Sequence, residues 1–148
     1  MPKWLDKLLG RVPDPAFFAA AKKGDAEQIR RFLDAGTAVD ARDEWDDTAL
    51  TWAASSGHVE LCKLLIDRGA AVDARQYEGA TPMILAADHG HEAVVRCLVE
   101  QGADVHARHP KEDMEAMGFA ARSGHRSIVE YLESQGGSWR YHQSEATG

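Results

Sequence analysis

The chain is 148 residues long, the size of one ordinary domain, with 44% hydrophobic and 28% charged residues. That balance supports a buried core and excludes an intrinsically disordered chain. The net charge of −7 is uneven: residues 1–31 hold seven basic and four acidic side chains (+3), residues 32–148 ten and twenty (−10). Such a field disfavours nucleic acid; it suits a protein partner with a basic patch, and it equally serves solubility.

The first element in chain order is a short amphipathic segment, residues 1–13. Trp4, Leu5, Leu8 and Leu9 form one apolar face flanked by Lys3, Lys7 and Arg11. Charges interrupt the run, so it lacks a secretory h-region, and no stretch approaches the roughly 20 apolar residues of a membrane span. The segment is read as an N-terminal cap on the open apolar edge that follows, with a membrane-surface anchor as the alternative. Cys62 and Cys97 lie in apolar helical stretches, where free cysteine behaves as a small hydrophobe. A cytoplasmic monomer is expected.

From residue 14 a period appears. Gly24, Gly57 and Gly90 are 33 residues apart and Gly124 follows after 34, while Gly36, Gly69, Gly102 and Gly136 keep the same spacings. The pairs Ala20-Ala21, Ala53-Ala54, Ala86-Ala87 and Ala120-Ala121 march in step, as do Phe32, Leu65, Leu98 and Leu132. Each period predicts a first helix carrying the small alanine pair and ending at a glycine suited to the left-handed conformation. A longer amphipathic second helix follows, as in His58 to Ile66. It closes at a second glycine, and a short extended segment leads to the next unit. In the first unit Asp25 to Gln28 reads as a capping box.

These ladders resemble the ankyrin repeat, whose period is 33 residues. The closest matches are Gly79-Ala80-Thr81-Pro82-Met83, Gly90-His91 and Gly102-Ala103-Asp104-Val105. The resemblance spans residues 14–139 and implies an all-α solenoid of paired antiparallel helices with short β-hairpin-like fingers. Its units run at about 14–42, 43–75, 76–108 and 109–139, followed by a polar, disordered tail at 140–148.

Several positions depart from the family pattern. Its ninth position, usually His, is here Thr51, Ile84 and Gly118, so the usual Thr–His bonding is absent or altered. Asp46 stands where the finger glycine belongs. The fourth unit has one extra residue near His109-Pro110 and reads Glu115-Ala116-Met117-Gly118, which predicts the least regular helix, since Gly in a helix costs about 1 kcal/mol relative to Ala. The ends read as caps: Gln28, Arg31 and Glu133 replace apolar residues of the inner units, and Trp139 is placed to close the far end.

No Gly-Lys-Ser/Thr loop, Gly-x-Ser-x-Gly elbow or Cys-x-x-Cys pair occurs. His89-x-His91 and His106-x-x-His109 have ligand-like spacing, but His91 shares its register with His58 and His125, which points to a structural role. Asp43, Glu44, Asp46 and Asp47 cluster on an exposed finger, where carboxylates stay solvated. The chain is therefore read as a non-enzyme without metal or cofactor, a small enzyme or metal-binding protein being the alternative.

The resemblance implies that a partner protein lies along the fingers and the concave face of the first helices. In the second unit this selects Arg42, Glu44, Trp45, Asp47, Ser55 and Ser56; in the third, Arg75, Tyr77, Glu78, Ala80, Asp88 and His89. In the fourth it selects Arg108, Lys111, Glu112, Met114, Arg122 and Ser123. Trp45 and Tyr77 are the expected anchors, because exposed aromatics are enriched among binding hot spots. Trp52 shares a register with Leu85 and Phe119 and is assigned to the core. Arg42, Arg75 and Arg108 form a ladder that receives an acidic chain or a terminal carboxylate, or else pairs with Asp43, Glu78 and Glu112 or stays solvated. The expected function is non-catalytic protein binding as scaffold, adaptor or inhibitor.

Overall fold

A computed structural model describes residues 13–138. They form eight helices in four antiparallel pairs: α1 (Pro15–Lys23) with α2 (Ala26–Asp34), α3 (Ala49–Ser56) with α4 (Val59–Asp67), α5 (Pro82–Asp88) with α6 (Glu92–Glu100), and α7 (Ala116–Arg122) with α8 (Arg126–Ser134). First helices stack on first helices and second on second, and the first-helix layer is the more closely packed. The reason is local. Ala20, Ala21, Ala53, Ala54, Ala86, Ala87 and Ala120 are buried, and their small side chains let neighbouring backbones approach. The longer Leu61, Leu65, Val94, Leu98, Ile128 and Leu132 fill the space between the layers.

Side chains cap α1, α2, α3 and α5. Asp14 caps α1 through Ala16 N–H, with Pro15 in the first turn. Thr48 and Thr51 cap α3 reciprocally: each hydroxyl accepts the other's backbone N–H, at 2.8 and 3.2 Å. A Thr–Thr pair thus stands where the resemblance implied Thr–His bonding. Thr81 caps α5 through Ile84 N–H. In α2 only half of the expected capping box forms, with Asp25 accepting from Gln28 N–H at 3.1 Å.

The first helix of the fourth unit has no side-chain cap. Its Glu115 is 5% exposed and turns away to accept from Ser138 N–H and Oγ at 2.8 and 3.0 Å. Gly118 has a packing reason: a Cβ there would stand 3.3 Å from Met114 Cβ. The helix keeps its length of seven residues, the same as α5. The proposed N-terminal cap (residues 1–12), the closing Trp139 and the tail lie outside the described residues.

Among the described residues the fingers are turns, and no strand forms. Asp43 N–H donates to Asp47 O at 3.0 Å and Gln76 N–H to Ala80 O at 3.1 Å. In the fourth unit His109 N–H reaches Met114 O at 2.9 Å, one residue further on, so the extra residue sits inside the finger. The residue before each finger's last is left-handed: Gly79 (φ 96°) in the third unit, but Asp46 (φ 61°) and Asp113 (φ 48°) in the second and fourth. Aspartate is among the few residues that tolerate this conformation.

Candidate partner-binding surface

One side chain at the head of each finger organises its backbone. Asp43 Oδ1 accepts from Trp45 N–H and Asp47 N–H, both at 2.9 Å. Gln76 Oε1 accepts from Glu78 N–H and, at 3.0 Å, Gly79 N–H. His109 Nδ1 accepts from Lys111 and Glu112 N–H at 3.3 Å each. Three residue types perform the same task, which is why the register was not legible as a motif. His109 is 6% exposed and packs edge-on against Phe119, so it belongs to the fold.

The recurring arginines join the fingers to each other. Arg42 Nη1 donates to Asp46 O in its own finger and to Arg75 O in the next unit, both at 2.7 Å. Arg75 Nη1 repeats this with Gly79 O at 2.6 Å and Arg108 O at 2.9 Å. Arg108 holds Asp113 through its carbonyl at 2.9 Å and its carboxylate at 2.8 Å. The expected pairing with Asp43, Glu78 and Glu112 is therefore replaced by carbonyl bridges and by ion pairs with Asp46 and Asp113. A planar guanidinium can serve two acceptors at once, and carbonyls at finger edges need donors.

This frame presents two large aromatics to solvent. Trp45 is 62% exposed and Tyr77 80% exposed. They occupy adjacent fingers, linked by a bond from Tyr77 N–H to Trp45 O at 3.3 Å. Glu44, Glu78, Lys111 and Glu112 are exposed on the same fingers. On the first-helix face Ser56, His89, Arg122 and Ser123 are exposed, while Ser55 and Asp88 are half-buried. Asp88 accepts from Ser123 Oγ at 2.7 Å and pairs with Arg122 at 3.7 Å; Arg122 also pairs with Glu112 and lies over the Phe119 ring.

Three expectations require correction. Met114 is 9% exposed and Ala80 5%, so neither is presented to a partner; both follow the finger's last turn and face inward. Trp52 lies at the edge of the core and is only partly buried. Its indole N–H donates to Asp43 Oδ2 at 2.7 Å, and Lys22 Nζ lies 3.8 Å from its ring centroid. A shared register sets the direction of a side chain but not its depth. Lys22 belongs to the preceding unit, and nothing local in the sequence ties it to residue 52.

Other titratable groups are accounted for by the fold. His58, His91 and His125 each place Nε2 2.8–3.0 Å from a carbonyl at the end of the preceding first helix. Burial pushes the Cys62 thiol up to about 12 and also raises that of Cys97. No group of three or more His, Cys, Asp or Glu among the described residues is arranged to hold a metal ion, and no described helix is long and apolar enough to cross a membrane. A shallow depression on the open side of α2 is lined by Gln28, Arg31, Phe32 and Ala35.

Residues 17–109 match the family model for ankyrin repeats, in three copies. The chain belongs to the ankyrin repeat family. Ankyrin repeats are in general non-catalytic modules of protein–protein interaction. The match ends where the fourth ankyrin unit begins its longer finger, although α7 and α8 continue the same stack. A search of curated proteins returned no match.

Proposed function

We propose that this ankyrin stack is a non-catalytic protein-binding module that holds its partner along the second and third fingers and the adjoining first-helix face. The observation that carries the reading is the exposed pair Trp45 and Tyr77 on neighbouring, mutually bonded fingers. Large rigid aromatics on a preorganised frame bind with little ordering cost. The repeat domain spans about residues 14–139 and acts as a monomer. Two buried free thiols suit a reducing compartment, and we place the chain in the cytoplasm. The acidic balance of residues 32–148 favours a partner surface that is basic.

Affinity capture from the native source tests this. The chain retains a partner that the Trp45→Ala/Tyr77→Ala double variant loses, while each single substitution changes stability by less than about 0.5 kcal/mol. Undiminished capture by the double variant would overturn the assignment of the fingers.

A further inference from the structure

On the first-helix face the Trp52 ring is held in place from one side and covered from the other. Asp43 fixes it by accepting the indole N–H at 2.7 Å, while Asp43 itself is locked by two finger N–H groups. Over the ring face stands the ammonium of Lys22, 3.8 Å from the centroid. The half-buried Asp47 lies close enough to feel the Lys22 charge, as well as those of Asp43 and Asp46. An aromatic ring whose N–H is held by one carboxylate, with a second carboxylate within electrostatic reach of the cation on its face, is a seat for a cation, and here one of the chain's own lysines sits in it.

Lys22 is exposed, and among the described residues no carboxylate lies within ion-pair distance of its Nζ. Arg122, at the same register three units on, makes the contrast: it lies over Phe119 but is tied by Asp88 and Glu112. A guanidinium would suit the Trp52 seat better than the ammonium, because it stacks flat on an indole and offers paired N–H donors to carboxylates.

We propose that the Trp52–Asp43–Asp47 seat receives an arginine side chain of the partner protein, which displaces Lys22 from the indole. The proposal rests on the protein-binding reading above and specifies the partner: a basic segment whose arginine enters between α1 and the second finger. Lys22 then acts as an internal competitor that keeps the ring covered until a better cation arrives. The acidic finger residues Glu44, Asp46 and Asp47 supply the complementary charge.

The test uses the full chain and short capped peptides, Ac-Ala-Ala-Xaa-Ala-Ala-amide, with Xaa arginine, citrulline or glutamate. The readout is the Trp52 indole N–H resonance, identified through Trp52→Phe. The arginine peptide shifts it saturably, and the neutral, near-isosteric citrulline peptide does not. Lys22→Met tightens arginine-peptide binding at least threefold, whereas Lys23→Met, with the same change in charge, alters it less than twofold. Asp47→Asn weakens it at least threefold with the helical circular dichroism unchanged.

Equal shifts from citrulline, or equal effects of Lys22→Met and Lys23→Met, would overturn the seat. So would a glutamate-peptide shift that disappears in Lys22→Met, since Lys22 would then be an anion receptor. These outcomes are separate from the capture experiment: loss of the seat with Trp45 and Tyr77 still required leaves the fingers as the binding surface, and the reverse leaves the seat.

Discussion

The imidazole of His91 lies directly over Gly57. A Cβ built on Gly57 would come within 2.5 Å of His91 Nδ1, and the ring's Nε2 meets Ser55 O at 2.9 Å. Gly57 is left-handed (φ 81°) and ends α3. One residue thus turns the chain while its lack of a side chain leaves room for a histidine from the next unit. The same contact recurs between Gly24 and His58 and between Gly90 and His125.

Gly57→Ala therefore destabilises the chain by more than the roughly 1–2 kcal/mol of a left-handed alanine, because the ring must also move. His91→Ala alone removes one hydrogen bond, worth about 1 kcal/mol. The double variant loses less than the sum by about 0.5 kcal/mol or more, since removing the ring relieves the clash. Urea unfolding of the four proteins measures this coupling. Strict additivity would show that the ring and the glycine do not meet.

Arg75→Ala removes the donors for Gly79 O and Arg108 O together. Stability falls by about 1–2 kcal/mol, and amide exchange of residues 76–80 and 108–114 speeds up. Arg75→Lys recovers less than half of the loss, because the shorter, more flexible lysine stem does not hold its ammonium where the pre-organised Nη1 amino group meets both carbonyls. Full recovery by lysine would mean that any cation at this register joins the fingers.

The Asp47 carboxyl is held above its ordinary range, first by burial and further by Asp43 and Asp46, against the opposing effects of Thr51 and Lys22. Its proton is bound more tightly in the folded than in the unfolded chain. The associated stability is present below the unfolded-state value and is lost as pH rises through the folded one. Asp47→Asn consequently raises the thermal midpoint at neutral pH, and the gain vanishes at about pH 3, below the ordinary carboxylate value of about 4. Thermal melts across that range give the answer; a gain independent of pH would point to packing instead. A gain at neutral pH would show that the native aspartate costs stability, as binding residues often do.

Cys62 is fully buried with its thiol pushed up to about 12, and Cys97 is 4% exposed. Thiolate is the reactive form. Neither cysteine of the native chain reacts with a disulfide reagent at pH 8 within minutes, and both react once guanidinium unfolds it. Rapid native labelling of either would show that α4 or α6 opens locally.

The family, the order of the helix pairs and most of the core are legible in the sequence, because each rests on interactions that a period declares. Alanine pairs set the close layer, aliphatic residues at helical spacing set the far one, and Asp25 opens α2 through a bond to a residue three positions away. The exposure of Trp45 and Tyr77 follows in the same way from their finger register. What only the tertiary structure decided are contacts across 30 or more residues, where the offset between stacked units sets the distance. Arg42 reaches Arg75 O as well as the carboxylate of Asp46 in its own finger, and His91 meets Ser55 O. Lys22 comes to rest on Trp52, which the register had placed inside. A repeat fixes which way a side chain points, whereas its depth and its neighbours depend on the sizes of residues one unit away.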